Sequence, residues 1–191
     1  NLITMCAGEG RDVLPVLAEE NSSRPVKAIL VEYDETLAQR ARTIAQNLQL
    51  SEVEVRTADA GTTDTYRDLP LAQVLTVCSV FGNIPVEDMR RTVATLPALL
   101  ANDGLVIWTR AGHDQSLEVR KVFLDQGFSE MSFSHTTDDT FWVGMNRLAA
   151  RPAQFSAPQP GTRMPLTCPP CSRACVNTPN CAGKAENGGF V

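Results

Sequence analysis

Short apolar runs alternate with amphipathic segments over the first 148 residues of the chain. In the segments between the runs, apolar positions recur every three or four residues, as at Leu37, Ala41, Ile44 and Leu48. This alternation predicts an α/β fold whose strands are parallel and whose helices connect them. We expect strands at seven runs: residues 3–5, 26–31, 53–57, 73–78, 105–109, 128–133 and 141–145.

The helix before the fifth strand is expected to be long, because apolar positions form one stripe over residues 86–100. The sequence Asn102-Asp103-Gly104 then predicts a turn. A polar loop over residues 110–115 leads to the next helix, with Asp114 or Ser116 as its capping residue. Gly127 is expected to end that helix.

The first run breaks at Cys6 into a loop with two glycines, in the sequence Ile-Thr-Met-Cys-Ala-Gly-Glu-Gly-Arg-Asp of residues 3–12. Gly8 and Gly10 lack a Cβ, so the backbone can bend sharply and a ligand can lie directly on it. Amide groups at the start of the following helix favour a polar or anionic group. The pattern predicts a loop that binds a nucleotide-like cofactor.

The loop by itself does not identify the cofactor. A dinucleotide fingerprint needs a third glycine three residues after the second, and Val13 stands there. A phosphate-binding P-loop needs Gly-Lys-Ser/Thr, whereas Gly10 is followed by Arg11 and Asp12. Neither motif is complete.

Polar or acidic residues follow each of the next three strands. Glu32, Tyr33 and Asp34 end the second strand, Asp59 and Ala60 follow the third, and residues 79–83 follow the fourth. Ligands of open α/β sheets bind outside the carboxyl ends of the strands. A carboxylate at the end of the second strand can accept hydrogen bonds from both ribose hydroxyls.

This combination of loop and strand ends resembles the class I S-adenosylmethionine-dependent methyltransferases, over residues 2–148. The resemblance implies a Rossmann-like three-layer α/β sandwich with helices on both faces of a mostly parallel seven-stranded sheet. The implied strand order is 3-2-1-4-5-7-6, with strand 7 antiparallel. It also implies S-adenosyl-L-methionine as the cofactor and methyl transfer as the activity, with residues 1–148 as the cofactor-binding domain.

The resemblance implies a role for each candidate site residue. The glycine loop approaches the methionine part of the cofactor, the acid after strand 2 holds the ribose, and the acid after strand 3 bonds the adenine amino group. The residues implied for the methionine part are Ala7, Gly8 and Gly10, and Glu32 is implied for the ribose. Tyr33, Asp59 and Ala60 are implied for the adenine, and Cys78 and Asn83 for the amino-acid or acceptor end.

Two features depart from the family pattern. Cys6 stands where the family often has an acid, and the helices that usually precede the first strand are missing from this sequence. Two alternatives therefore stay open: a nicotinamide-dependent oxidoreductase, and a non-catalytic protein that binds the same cofactor. The oxidoreductase is disfavoured by Val13 and by the absence of a Tyr-x-x-x-Lys pair.

No catalytic residue is assigned from the sequence. His113 and Asp114 follow the fifth strand at the expected ligand edge, so they are candidates for a general base. The alternative interpretation is that they belong to an ordinary polar loop. Asn83 is equally compatible with a turn before Pro85.

Charge and composition restrict the partners. The formal net charge is −5, and no basic stripe interleaved with aromatic residues is present. These features favour a small-molecule or protein side-chain acceptor over a nucleic acid. We expect a cytoplasmic protein, because no apolar run is long enough to span a bilayer and no signal peptide is recognised.

Residues 149–191 have a different composition, with seven of the 12 prolines and four of the six cysteines. Four thiolates could hold a zinc ion, but their spacing is tighter than in common zinc modules. We therefore expect a disordered Pro- and Cys-rich tail rather than a metal site. The four cysteines are Cys168, Cys171, Cys175 and Cys181.

Overall fold

A computed structural model describes residues 1–20, 26–137 and 140–149. One seven-stranded sheet, of order β3-β2-β1-β4-β5-β7-β6, runs through the described part of the chain. The strands are β1 Leu2–Met5, β2 Ala28–Glu32, β3 Val53–Thr57, β4 Ala72–Val77, β5 Leu100–Ala111, β6 Phe128–His135 and β7 Phe141–Leu148. The helices are α1 Leu14–Glu20, α2 Glu35–Asn47, α3 Val86–Thr95 and α4 His113–Asp125, with short 3-10 turns at Thr63–Tyr66 and Leu96–Ala98.

The direction of the strands confirms the predicted topology. Strands β1 to β5 pair in parallel, with Met5 opposite Val31 and Thr4 opposite Thr76. Strand β7 is antiparallel to both of its neighbours, β5 and β6. The carboxyl ends of β1 to β5 therefore lie along one edge of the sheet, and the loops that follow them meet there.

Helices cover the sheet on both faces and create two hydrophobic cores. Alternate residues of a strand point to opposite faces, so β1 and β2 contribute to both cores. On the face of α1 and α2 the core includes Val13, Leu14, Leu17, Ala28, Leu30, Ala41 and Ala45. On the face of α3 and α4 it includes Ile3, Met5, Leu75, Val77, Met89, Val93, Val106, Trp108, Val119 and Phe123.

One region of the sheet is less covered than the rest. Along β5 and β7, the residues on the α4 face are buried, as Val106 and Trp108 illustrate, whereas Leu105, Ile107 and Val143 on the other face are only half-buried. Parallel sheets are normally covered on both faces. Helices α1 and α2 pack on the side of β1 to β3, and this leaves the second half of the sheet thinner on that face.

The boundary between α3 and β5 differs from the prediction. The helix ends at Thr95 and is followed by a 3-10 turn at Leu96–Ala98, so residue 100 already belongs to β5. Pro97 lies in that turn and has no N–H to continue an α-helix. The apolar stripe misled the prediction because buried Leu96, Leu99 and Leu100 keep a helical spacing after the helix has stopped.

The predicted turn at residues 102–104 is instead an irregularity within β5. Ala72 pairs with Leu100, but Val74 pairs with Leu105, so β5 gains extra residues between these two pairs. Asp103 has a φ of +57°, which lets the chain bulge outward before it rejoins β4. The local signal for a break was correct, and pairing with β4 on both sides of the break keeps the segment in the sheet.

Three further predictions concern the tail, a metal site and a membrane-spanning helix. The tail after residue 149, with its four cysteines, is outside the described part of the chain. Within residues 1–20, 26–137 and 140–149, no group of three His, Cys, Asp or Glu side chains could hold a metal ion. No helix of those same residues combines the length and the apolarity that a membrane crossing requires.

Candidate active site

The loop after β1 has an unusual backbone. Cys6, Gly8 and Gly10 have φ values of +53°, +56° and +77°, so three of five consecutive residues adopt left-handed conformations. The Ala7 amide donates to the Val31 carbonyl at 2.9 Å, and the Ala7 carbonyl accepts from the Gly10 amide at 2.9 Å. Both backbone groups of Ala7 thus take part in hydrogen bonds inside the fold.

The two glycines of this loop have different surroundings. A Cβ placed on Gly8 would have no heavy atom within 4 Å, so the space above its backbone is open. A Cβ placed on Gly10 would lie 2.7 Å from Leu14 Cδ1 and 2.9 Å from Leu30 Cδ2. Gly10 therefore allows α1 to pack closely on the sheet, whereas Gly8 leaves room for a ligand.

Glu32, the last residue of β2, connects the glycine loop to the start of α2. Its side chain is buried, with 4% of the residue exposed. Oε2 accepts from the Gly8 amide at 2.7 Å, and Oε1 accepts from the Asp34 amide at 2.8 Å. A carboxylate has about four lone-pair positions, so Glu32 retains the capacity for further donors on both oxygens.

The residues that follow Glu32 divide between structure and surface. Asp34 is the N-cap of α2, and its Oδ1 accepts from the amides of Thr36 and Leu37 at 2.8 Å and 3.0 Å. Tyr33 is 61% exposed. The ring of Tyr33 is therefore accessible beside the buried Glu32 carboxylate.

The carboxylate of Asp59 lies in the turn after β3. Its Oδ1 accepts from the Gly61 amide at 2.8 Å, and its carbonyl accepts from the Thr65 hydroxyl at 2.8 Å. Ala60 is buried, and its carbonyl accepts from the Tyr66 hydroxyl at 2.9 Å. These bonds fix the position of the Asp59 side chain at the sheet edge.

Tyr66 is buried beside the turn after β3, and the sequence analysis did not identify it. Burial raises the pKa of Tyr66 well above its ordinary value, and the charges of Cys6 and Asp59 act in the same direction. The one available signal was an isolated aromatic residue in a polar stretch, which is too common to be diagnostic.

The loop after β4 is anchored on β5 and approaches the glycine loop. The Ser79 amide donates to Thr109 Oγ1 at 2.9 Å, and Asn83 Nδ2 donates to the Ser79 carbonyl at 2.6 Å. Burial raises the pKa of the Cys78 thiol to about 12; Asp12 adds to this rise, and a hydrogen bond with Thr109 opposes it. Asn83 thus closes a turn, and Asp12 brings the glycine loop to Cys78.

The two candidates for a general base lie at the start of α4. His113 Nδ1 is 3.3 Å from Asp114 Oδ1, both side chains are exposed, and the His113 ring packs 4.7 Å from the Trp142 ring. The prediction that Asp114 or Ser116 caps this helix is wrong. Gly112 is the N-cap, with no side-chain bond, and Ser116 Oγ donates back to the Gly112 carbonyl at 2.6 Å.

The structure therefore brings most of the predicted residues to one edge of the sheet. A direct hydrogen bond joins Gly8 to Glu32, and the strand before Asp59 pairs with β2 up to Glu32. Cys78 joins this group through Asp12. His113 and Asp114 lie apart from this group, on the rim of the site, which is the place where the start of α4 packs against Trp142 of β7.

Comparison with known proteins identifies the fold. No protein-family model matches the chain, and no curated protein matches it by sequence. Solved structures do match. Magnesium protoporphyrin IX methyltransferase of Synechocystis PCC 6803 with bound S-adenosylmethionine has a TM-score of 0.60 at 17% identity, covering 76% of this chain and 68% of that one.

Two further solved structures match this chain. An O-methyltransferase family protein of Burkholderia thailandensis has a TM-score of 0.64 at 12% identity, over 79% of this chain and 51% of its own. Aeropyrum pernix fibrillarin with natively bound S-adenosyl-L-methionine has a TM-score of 0.59 at 13% identity, over 76% and 65%. This chain spans only about half to two thirds of the length of these two proteins, and it has the class I methyltransferase fold.

Proposed function

We propose that this chain binds S-adenosyl-L-methionine at the edge formed by the glycine loop, Glu32 and Asp59, and transfers its methyl group to a small molecule. The observation that carries the proposal is the Glu32 carboxylate. It is buried at the end of β2, bonded to the Gly8 amide at 2.7 Å, and next to the open space above Gly8. The structural neighbours with this cofactor bound support the same choice.

The residues present suit an adenosine that carries an amino acid. Glu32 accepts from the ribose hydroxyls with its remaining lone pairs, and Asp59 accepts from the adenine amino group. Tyr33 offers its exposed ring to the adenine, and Gly8 lets the methionine part lie against the backbone. Ala60, Cys78 and Asn83 line the adenine and methionine ends, where Gly10 contributes by packing α1 against the sheet.

The cofactor supplies an activated methyl group on a sulfonium ion. The protein then has to align the acceptor with that methyl group and exclude water from the reacting atoms. An acceptor hydroxyl also needs a group that takes its proton, and His113 on the rim is the candidate for this role. His113 Nδ1 lies 3.3 Å from Asp114 Oδ1.

Calorimetric titration with S-adenosylhomocysteine and with NAD tests the proposal. We expect the homocysteine product to bind and NAD not to bind, because Val13 fills the place of the third glycine of a dinucleotide fingerprint. Binding of NAD alone would favour the oxidoreductase. Binding of the product without methyl transfer to any offered acceptor would favour the non-catalytic alternative.

A test of the Glu32 role needs two ligands, one with and one without ribose hydroxyls. Loss of the carboxylate also leaves the Gly8 and Asp34 amides without their acceptor, and this affects both ligands. We expect Glu32→Gln to weaken adenosine binding by about 1–3 kcal/mol through the lost charged hydrogen bonds. The variant should leave the much weaker binding of 2′,3′-dideoxyadenosine unchanged, because that ligand has no ribose hydroxyls. Glu35→Gln, at the exposed start of α2, is the matched control. Equal losses for both ligands would remove Glu32 from the ribose role.

A further inference from the structure

Arg110 occupies the carboxyl end of β5 and faces the side of α4. Val106 and Trp108, which precede it at alternate positions, belong to the core beneath α3 and α4. Alternation along the strand therefore directs Arg110 to the same face. Its register partner on β7 is Trp142, so the two side chains are neighbours across the pair.

The Arg110 guanidinium lies against the loop after β4. A Cβ placed on Gly82 would be 3.0 Å from Arg110 Nη1 and 3.7 Å from its Cζ. The absence of a side chain at Gly82 thus leaves a place for the guanidinium beside the turn that Asn83 closes. This position is on the loop that faces the proposed cofactor site.

The charge of Arg110 is only partly compensated. Arg110 is half-buried, and within the described residues no carboxylate approaches its guanidinium to ion-pair distance. Burial lowers the pKa of Arg110, while the more distant Glu118 on α4 opposes this effect. By contrast, Arg120 on the same helix makes a two-point ion pair with Glu130 at 2.7 Å and 2.8 Å. A half-buried cation without a partner is energetically unfavourable until an anion binds.

The position of Arg110 separates it from the groups proposed to hold the ribose and the adenine. Those groups follow β2 and β3, whereas β5 lies three strands beyond β2 in the sheet. Three strand spacings correspond to roughly 14 Å. Arg110 also points to the α4 face, next to the rim with His113 and Trp142.

We propose that Arg110 recognises the carboxylate of the methyl acceptor, so that the substrate class is a small molecule with a carboxylate group. A planar guanidinium binds a carboxylate through two parallel hydrogen bonds, which orients the acceptor as well as holding it. The acceptor role rests on the proposed methyltransferase function. Recognition of a carboxylate by Arg110 is testable without it.

The experiment uses benzoate and benzamide, which differ only in the charged group. The Nε–H resonance of Arg110, identified by its loss in Arg110→Gln, is followed by NMR during titration of the full chain with and without saturating S-adenosylhomocysteine. We expect benzoate to shift this resonance in the product-loaded protein and benzamide to leave it unchanged. Arg110→Gln is expected to weaken benzoate binding about tenfold or more.

Controls distinguish the possible failures. Arg147→Gln removes an exposed arginine from the opposite face of β7 and should bind benzoate like the unaltered protein. Arg110→Lys keeps the charge without the two-point geometry and should fall between the two. No shift with benzoate, or equal shifts with benzamide, would overturn the proposal.

The cofactor itself carries a carboxylate, so competition is decisive. If S-adenosylhomocysteine displaces benzoate from Arg110, the guanidinium binds the cofactor's amino-acid end, and the acceptor assignment is wrong. If S-adenosylhomocysteine does not bind at all, the proposed function fails. A benzoate shift in the free protein would then still assign carboxylate recognition to Arg110.

Discussion

The ends of β1 to β3 and the ends of β4 and β5 are built differently. In the first group, the Glu32, Asp34 and Asp59 carboxylates each accept hydrogen bonds from backbone amides of nearby loops or of the first turn of α2. In the second group, a hydroxyl and a thiol take part instead of carboxylates that accept from amides: Thr109 Oγ1 accepts from the Ser79 amide, and the Cys78 thiol meets Asp12. Arg110, at the end of β5, has no ion-pair partner among the described residues.

The difference indicates that the two groups of strand ends suit different ligands. Carboxylates that are already held by backbone amides need little reorganisation when a ligand binds, which suits a site for a constant cofactor. An uncompensated guanidinium and an exposed histidine suit a ligand that completes the site from outside. We therefore propose that the first group holds the ribose and the adenine of the cofactor, and that Arg110 in the second group meets the acceptor.

The largest expected effect is the loss of stability when Gly10, in the loop after β1, is replaced. Replacing Gly10 with Ala combines a left-handed backbone with contacts of 2.7 Å to Leu14 and 2.9 Å to Leu30. The conformational part and the overpacking part together should lower the free energy of unfolding by about 3 kcal/mol. Urea unfolding followed by circular dichroism measures this loss.

Gly8→Ala is the matched control for that variant. Its φ of +56° carries a similar conformational strain, but the new methyl group meets no atom within 4 Å. We expect a loss of stability of only about 1 kcal/mol. Affinity for S-adenosylhomocysteine should instead fall, because the methyl group occupies the ligand's space. Equal losses of stability in the two variants would contradict the different roles of Gly8 and Gly10.

The local patterns of the sequence predicted the strands and the helices between them, whereas the strand order was implied by the resemblance to the class I methyltransferases. Small, polar or acidic residues stand at or just after the carboxyl end of each strand from β1 to β4, and β3 was predicted with its observed bounds. The carboxylates at those ends are local features of the sequence, so Glu32 and Asp59 could be identified without coordinates. Their roles toward the cofactor stay predictions.

Other features depend on contacts between distant segments, and local patterns do not contain them. Nothing in the sequence distinguishes Gly10, which packs against Leu14 and Leu30, from the open Gly8. Arg110 was included in a polar loop, because only the pairing of β5 with β7 extends the strand to residue 111. The same applies to Tyr66, whose hydroxyl is satisfied by the carbonyl of Ala60.

A smaller effect is expected at Cys78, where the two groups of strand ends meet. It concerns the pH dependence of the free energy of unfolding. The folded-state pKa of this thiol is about 12, above the ordinary value of 9.0, so the unfolded chain loses this proton first as the pH rises. The contribution of Cys78 to the stability is therefore present below pH 9 and declines from pH 9 to pH 12. Between pH 9 and pH 10 the loss should be about 1 kcal/mol.

Cys78→Ser tests this dependence, because a serine hydroxyl does not titrate in that range. The difference in free energy of unfolding between the variant and the unaltered chain should change by about 1 kcal/mol from pH 9 to pH 10 in favour of the variant. Groups that titrate in both proteins cancel from the difference. A constant difference across this range would mean that the thiol is hydrated, and that Asp12 does not close the site against Cys78.

The smallest expected effect concerns the ion pairs of Glu9, which connect the glycine loop to α2. Glu9 lies between the two glycines, its side chain is 14% exposed, and it pairs with Arg40 and Arg11 at 2.7 Å. Both arginines are mostly exposed, so Glu9→Gln should lower the free energy of unfolding by only about 0.5 kcal/mol at neutral pH. Hydrogen bonds from Arg40 and then Arg11 lower the pKa of Glu9. The contribution is therefore present above pH 4.5 and disappears as the pH falls through the lowered pKa.

Glu87→Gln provides the control, since its pair with Arg91 on α3 is exposed on both sides. It should change the stability even less and leave ligand binding unaltered. Because Glu9 acts on the loop and not on the ligand, its loss should weaken S-adenosylhomocysteine binding no more than it weakens the fold. A large loss of affinity at unchanged stability would mean that Glu9 itself contacts the ligand. The first group would then be completed by its ligand, as the second is, and the division between them would disappear.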